Sequence, residues 1–380
     1  MIYVSHYVGL SGVGGVQRNF KEYYQNAIEM DPDLIHTIYT NGLVDEQYNL
    51  SATVYDVSKF INMLRFLLDI CSNKKIVHIY NRLTSPGFAK LLSILPAKKI
   101  IVHERGSAWN CSSTKSKPIS MVAEKASLIL ANSNATKQLL IKKFSLPKQK
   151  IEVIHNGIDP SMRVIADNMM DEISSIFTVG FLGRLDTPKG IHVLIDAVHN
   201  LSCSNIELLI AGDGVLKDEL IKRADDTKNI RFIGRVSNPY KFLKTVDLLI
   251  VPSIREPFGN VCLEAGLCGV PVIAANIDGI PEIIEDDYSG ILIKPDQIVD
   301  VGNLPESAVP IPEQVYDPMS ETLVSPKQLD PNKLSEKICL LSQSPSERKR
   351  LARNLKDTVL ERFTVGQYIK KLHEVYRRFE

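Results

Sequence analysis

Pro252-Ser253-Ile254-Arg255-Glu256-Pro257-Phe258-Gly259-Asn260-Val261-Cys262-Leu263-Glu264-Ala265-Gly266 follows the short apolar run Leu248–Val251. An apolar run of four, half of it β-branched, closed by Pro-Ser reads as a buried strand, and the apolar stretch after Gly259 reads as a helix that starts there. The first turn of a helix leaves N–H groups without intrahelical partners, and these can hold hydroxyls or a phosphate. Glu256 falls in the connecting loop. Glu264 falls about 7 to 8 Å along the helix axis. Two carboxylates so placed can hold two separate parts of one extended ligand. An acid within Val261-Cys262-Leu263-Glu264-Ala265 needs a partner, and sugar hydroxyls would serve.

The same strand–turn–helix unit appears upstream in Gly180-Phe181-Leu182-Gly183-Arg184-Leu185-Asp186-Thr187-Pro188-Lys189-Gly190. Its strand ends at Gly183, its turn carries Arg184 and Lys189, and its helix begins near Ile191. Two cations beside a strand end suit a diphosphate, the arginine forking two oxygens and the lysine acting as a point charge. Short β-branched runs alternate with amphipathic stretches along the whole chain. Strands are predicted at 2–4, 35–39, 76–80, 100–103, 128–131 and 151–154, then at 178–182, 207–211, 230–233, 248–251, 270–274 and 290–293. This is the α/β pattern of parallel sheets covered by helices. Asn156-Gly157-Ile158-Asp159-Pro160 breaks both element types, so a linker is expected from there to about residue 175. Two doubly wound sheets imply ligand binding in a crevice at the carboxyl ends of the strands. Gly9-Leu10-Ser11-Gly12-Val13-Gly14-Gly15-Val16 follows the first strand and opens a helix, so its backbone can approach a ligand closely. The proline-rich stretch 296–330 is too long for a tight loop and reads as an ordered excursion or a flap.

Length and composition agree with this. At 380 residues, 44% apolar and 23% charged, the chain is an ordinary globular protein of about two domains. No apolar run reaches the roughly 18 to 20 residues of a membrane-spanning helix, and the N-terminus does not read as a signal peptide. Six scattered cysteines without a C-x-x-C pair read as ordinary thiols in a reducing, cytoplasmic compartment. The net charge of +1 hides an asymmetry: residues 1–58 carry −5, residues 59–150 carry +14 and residues 151–380 carry −8. A block of +14 attracts anionic surfaces. It lacks a nucleic-acid motif, so nucleic acid is not expected as a partner. Within it, 59–68 and 86–99 mix basic and apolar groups at helical spacing, which suits anionic lipid headgroups.

Arg184 with Lys189, Glu256 with Glu264, and Asp278-Gly279-Ile280-Pro281-Glu282 together resemble the retaining glycosyltransferases of family 4. Ala211-Gly212-Asp213-Gly214, Phe232-Ile233-Gly234-Arg235-Val236 and Gly290-Ile291-Leu292 extend the resemblance. It is specific over 176–294. Over the first half it rests on Gly14-Gly15, His103 and Asn156-Gly157-Ile158-Asp159.

The resemblance implies the GT-B fold, two facing Rossmann-like domains with a crevice between them. Residues 1–165 would form an acceptor-side domain joined by a final helix at 364–380, and residues 175–363 a nucleotide-sugar domain. Arg184 and Lys189 would neutralise the departing diphosphate. Glu264 would accept from the ribose hydroxyls. Glu256, with the backbone of Phe258, Gly259, Asn260 and Val261, would orient the sugar. Arg235 and Val236 would line the base pocket. Gly14 and Gly15 would sit under the phosphates or acceptor, and His103 would approach the sugar. The implied reaction is metal-independent and cofactor-free, moving a sugar with retention from a nucleotide-diphosphate donor, UDP-sugar before GDP-sugar, to a glycan or lipid-linked acceptor. Its setting would be cell-surface polysaccharide or lipopolysaccharide synthesis at the inner face of the cytoplasmic membrane. A GT-B nucleotide-sugar epimerase and a non-catalytic glycan-assembly partner are the alternatives. Three departures stand out: Asp278 replaces a common second glycine, Glu104-Arg105 follows His103, and the 296–330 stretch is longer than the short connection usual in that family.

Overall fold

The computed structural model describes residues 1–12, 14–162, 176–225, 227–302 and 304–380. Val13 of the glycine-rich loop, and the expected linker over 163–175, lie outside the described residues. The chain divides into two units, Met1–Asp159 with Phe363–Glu380, and Pro160–Arg362.

The first unit holds seven strands: β1 (Ile2–Tyr7), β2 (Leu34–Thr40), β3 (Val54–Asp56), β4 (Lys75–Tyr80), β5 (Lys99–Glu104), β6 (Leu128–Ala131) and β7 (Ile151–Val153). They pair in parallel in the order β3-β2-β1-β4-β5-β6-β7. Central strands such as Ile100-Ile101-Val102 and Leu128-Ile129-Leu130-Ala131 are buried without alternation, as parallel sheets covered on both faces require. Helix Val365–Arg377 belongs to this unit. Its apolar side, from Tyr368 to Tyr376, lies in one core with Val4 and Tyr23. Paired bonds fasten its start, Ile158 N–H to Phe363 O at 2.9 Å and Val365 N–H to Ile158 O at 2.8 Å.

The second unit holds β8 (Phe177–Leu182), β9 (Ile206–Ala211), β10 (Ile230–Gly234), β11 (Leu248–Val251), β12 (Val272–Ala275) and β13 (Ile291–Ile293). Their parallel order is β10-β9-β8-β11-β12-β13. The strand order therefore reverses between β1 and β4 in one sheet and between β8 and β11 in the other. In such sheets, ligands bind beyond the carboxyl ends at those points.

Three expectations need amendment. Strand β3 was not foreseen, because three residues at a sheet edge give too short a pattern to see. The strand expected at 270–274 begins at Val272, since Pro271 has no N–H for the ladder and serves as acceptor for Leu249 instead. The cysteine reading is corrected at one pair. Cys203 and Cys339 form a disulfide across 136 residues, with Cα atoms 5.8 Å apart. Helix Ile191–His199 packs against helix Pro331–Ser342, and this contact brings the two thiols together at a separation no local motif reports. Within 296–330 the described residues form two short antiparallel ladders. β14 (Gln297–Ile298) pairs antiparallel with β17 (Lys327–Gln328), and β15 (Val315–Asp317) with β16 (Thr322–Val324).

Candidate functional site

The turn after β8 and the loop after β11 flank the switch point of the second sheet, and backbone bonds lock them together. Ile254 N–H donates to Pro188 O at 2.9 Å, and Arg255 N–H to the same oxygen at 3.2 Å. Gly190 makes the approach possible. It sits at φ +64°, and a β-carbon there would lie 2.0 Å from the Pro252 carbonyl oxygen. Asp186 Oδ1 accepts from Thr187 N–H at 2.8 Å and shapes the turn that presents Lys189.

Across this junction Lys189 Nζ lies 2.5 Å from Glu256 Oε2. Ser253 Oγ donates to the same oxygen at 3.3 Å. The Glu256 side chain is largely buried and Lys189 partly so, so the pair is shielded and more strongly coupled than a surface ion pair. An ammonium has three donors, and two remain for a second anion. Arg184, in the same turn, is exposed. Helix Asn260–Cys268 starts from Gly259 at φ +103° and carries Glu264 buried at its fifth position. The structure thus brings Arg184, Lys189, Glu256 and the Phe258–Val261 helix start to one sheet end. Arg235 and Val236 follow β10 at the edge of the same sheet, Arg235 exposed and Val236 half-buried.

In the first unit, Gly14 and Gly15 open helix Gly15–Met30 beyond β1. Gly12 N–H of that loop donates to Asp45 Oδ2 at 2.8 Å. His103 lies near the end of β5, fully buried, its ring stacked on His78 at 5.4 Å and on Tyr80 at 5.6 Å. Neither ring nitrogen has a hydrogen-bond partner among the described residues. Burial, and then the Arg105 guanidinium, hold its pKa well below the ordinary histidine value.

Two residues escaped the sequence reading of roles. Arg105 Nη2 donates to Asn19 Oδ1 and Asn156 Oδ1, both at 2.5 Å, which fastens the Asn-Gly turn to helix Gly15–Met30. Asp278, noticed only as a missing glycine, accepts Glu256 N–H on Oδ2 at 2.8 Å and Tyr316 N–H on Oδ1 at 2.7 Å. Burial pushes its carboxyl up to about 8, although those amides and Arg255 pull the other way. The Asp278-Gly279 pair was the available signal, and the structure places the aspartate at a left-handed φ of +50°. Its partner Tyr316, 38 residues ahead, was not legible.

Two doubly wound parallel units, with a cation–carboxylate pair at one switch point, define the GT-B class of Rossmann-like proteins. Residues 174–304 match the model of glycosyl transferases group 1, and residues 52–162 that of Glycosyltransferase Family 4. Both halves of the chain thus match models of glycosyltransferase families. It is 33% identical over 184 residues to N-acetylgalactosamine-N,N'-diacetylbacillosaminyl-diphospho-undecaprenol 4-alpha-N-acetylgalactosaminyltransferase of Campylobacter jejuni, covering 47% of this chain and 49% of that one. It is 32% identical over 174 residues to the lipopolysaccharide core biosynthesis glycosyltransferase LpsE of Rhizobium meliloti, covering 45% and 49%. The chain thus spans about half the length of the curated relatives it matches. In fold it is similar to Anabaena HepE, solved in complex with UDP and glucose, at a TM-score of 0.74 and 19% identity over the whole of both chains.

Proposed function

We propose that this protein is a retaining glycosyltransferase that moves a sugar from a nucleotide-diphosphate donor, UDP-sugar before GDP-sugar, to a glycan or lipid-linked acceptor of a cell-surface polysaccharide. The Lys189–Glu256 pair at the switch point of the second sheet carries this reading. Lys189 and Arg184 supply positive charge where a diphosphate gains negative charge on leaving, so the interaction strengthens toward the transition state. Glu256 remains hydrogen-bonded to Lys189 and Ser253 and accepts from a sugar hydroxyl. Glu264 accepts from the ribose, and Arg235 and Val236 border the base. The backbone of Phe258, Gly259, Asn260 and Val261 contributes to the sugar subsite, whereas His103, fully buried in the first unit, is not among the ligand contacts. The reaction needs no metal or resident cofactor in this scheme. The acceptor attacks from the face the diphosphate leaves, and a phosphate oxygen takes its proton. Trapping a covalent glycosyl-Glu256 adduct from donor alone would refute that route.

A membrane clause belongs to the same proposal. No helix among the described residues is long and apolar enough to cross a membrane. Helix Phe60–Cys71, however, exposes Phe60 (75%), Ile61 (79%) and Leu68 (72%) on one face, with Leu64 between them. Exposed Lys59 and Arg65 flank this ridge within the +14 block. The combination fits an anionic cytoplasmic leaflet. Calorimetry with UDP, GDP, ADP and CMP tests the central claim: one nucleotide should bind at micromolar strength, and turnover with its sugars should follow. Binding by none of them would remove the reading.

A further inference from the structure

We propose that residues 296–330 form a strap that sets the position of the donor-sugar loop, and that Asp278 is the positioning residue through which it acts. The inference rests on the glycosyltransferase reading for what the loop holds, and on hydrogen bonds alone for the strap itself.

The segment is tied to both loops of the switch point. Val309 N–H donates at 3.0 Å to Asp186 Oδ1, the oxygen that also shapes the Lys189 turn. Farther along, Tyr316 and Asp278 exchange two bonds. Tyr316 N–H reaches Asp278 Oδ1 at 2.7 Å, and Asp278 N–H reaches Tyr316 O at 2.9 Å. The second oxygen, Oδ2, takes Glu256 N–H, and Gly279 N–H donates to Glu256 O at 3.1 Å. Both backbone polar groups of Glu256 are therefore held by residues 278–279, whose own position is set by strand β15. The fit is close. A β-carbon at Gly279 would lie 2.4 Å from the Pro257 carbonyl oxygen. The strap is also fastened near its two ends. Gln328 Oε1 accepts Asp300 N–H at 2.9 Å and lies 2.9 Å from His192 Nε2, on the helix that the Lys189 turn opens.

Glycine would adopt the φ of +50° at position 278 without strain. What aspartate adds is the side-chain carboxyl group, and with it a bridge from strand β15 to the backbone of Glu256. The bridge ends at the residue assigned to the sugar and not at Glu264, which is assigned to the ribose. The strap should therefore govern how the sugar is held and leave nucleotide binding alone. A strap of another length or tie point would seat the sugar loop differently, which makes this segment a determinant of donor-sugar choice.

The test compares wild type with Asp278→Gly, Asp278→Asn and Val309→Pro, the last removing the N–H that reaches Asp186 and also fixing the backbone φ at 309. Hydrogen exchange is followed over 253–260, and calorimetry uses UDP, GDP, UDP-glucose, UDP-N-acetylglucosamine and GDP-mannose. The expected result for Asp278→Gly is exchange at the Glu256 amide faster by about tenfold or more, the loss of one buried hydrogen bond. Sugar-nucleotide affinity should fall about tenfold with the parent nucleotide bound as before. Asp278→Asn keeps one acceptor and should fall between. Val309→Pro should raise exchange in the 186–190 turn while leaving the core unchanged, which keeps the test open if Asp278→Gly folds poorly. Unchanged exchange over 253–260 in Asp278→Gly would overturn the strap. Equal losses for nucleotide and sugar nucleotide would overturn its action on the sugar. If wild type binds none of the five compounds, the glycosyltransferase reading fails and removes the sugar clause, whereas the exchange results still decide the strap.

Discussion

A β-carbon at position 190 would stand 2.0 Å from the Pro252 carbonyl oxygen on a left-handed backbone, so that Gly190→Ala is opposed twice over. We expect it to lower stability by about 2 kcal/mol or more, read as a shifted denaturation midpoint, and to disturb nucleotide binding with it. Glu264→Ala differs in kind. The carboxylate is buried on the helix that Gly259 opens, and its removal should weaken binding of the cognate nucleotide by about 1 to 3 kcal/mol in calorimetry. An unchanged affinity would withdraw its ribose role. Arg184, Lys189 and Glu256 were legible in the sequence because each follows a strand run and precedes a helix, so local spacing places it at a sheet end, and Glu264 was legible as the acid within the apolar run of the helix that follows. Asp278 and Arg105 were not. Their partners Tyr316, Asn19 and Asn156 lie on other elements, and no local pattern encodes a hydrogen bond across 38 or 86 residues.

Among elements, helix Phe60–Cys71 buries Phe66, Asp69 and Ile70, and its opposite face is the apolar ridge. Phe60→Ser with Leu68→Ser should leave thermal stability nearly unchanged, because both side chains are exposed. The same pair should reduce sedimentation with phosphatidylglycerol vesicles while changing little with neutral phosphatidylcholine. Equal sedimentation of wild type with both vesicle types would remove the membrane clause. Helices Ile191–His199 and Pro331–Ser342 meet near the Cys203–Cys339 bond. The double variant Cys203→Ser, Cys339→Ser should lose about 2 to 4 kcal/mol of stability in non-reducing buffer, and wild type should shift toward the variant when reductant is added. Most strands were legible from β-branched runs. The exceptions are instructive: β3 is a three-residue edge strand, and β14 to β17 are two- and three-residue ladders whose register depends on contacts with the rest of the unit.

For the molecule as a whole, the two units differ in their buried ionisable groups. The first unit encloses His6, His36, His78, His103 and His373 together with Tyr23, Tyr80, Tyr368 and Tyr376. Burial lowers the pKa of every one of these histidines, His36 and His373 to about 4. Arg105 lowers His78 and His103 further, and Asp31 opposes the shift at His36 and His373. Below the unfolded value of 6.5 the unfolded chain binds protons that the folded unit refuses. Stability is therefore present above pH 6.5 and declines toward pH 4. The single tryptophan, Trp109, is fully buried in this unit, so its emission reports the unit alone. Its red shift should begin between pH 6.5 and 4 and move to lower pH in His6→Phe; an unmoved midpoint would discount the cluster. The return of the chain to the first unit has a further consequence. Tyr376 OH lies 2.6 Å from His78 Nδ1, and Arg377 binds Asp31, so the first unit is finished by residues that follow the whole of the second. At about 5 to 20 residues per second, the closing helix leaves the ribosome roughly 10 to 40 s after Asp159. Until then the nascent first unit shows its open apolar seam to chaperones, and a stop codon near Arg362 would strand it there.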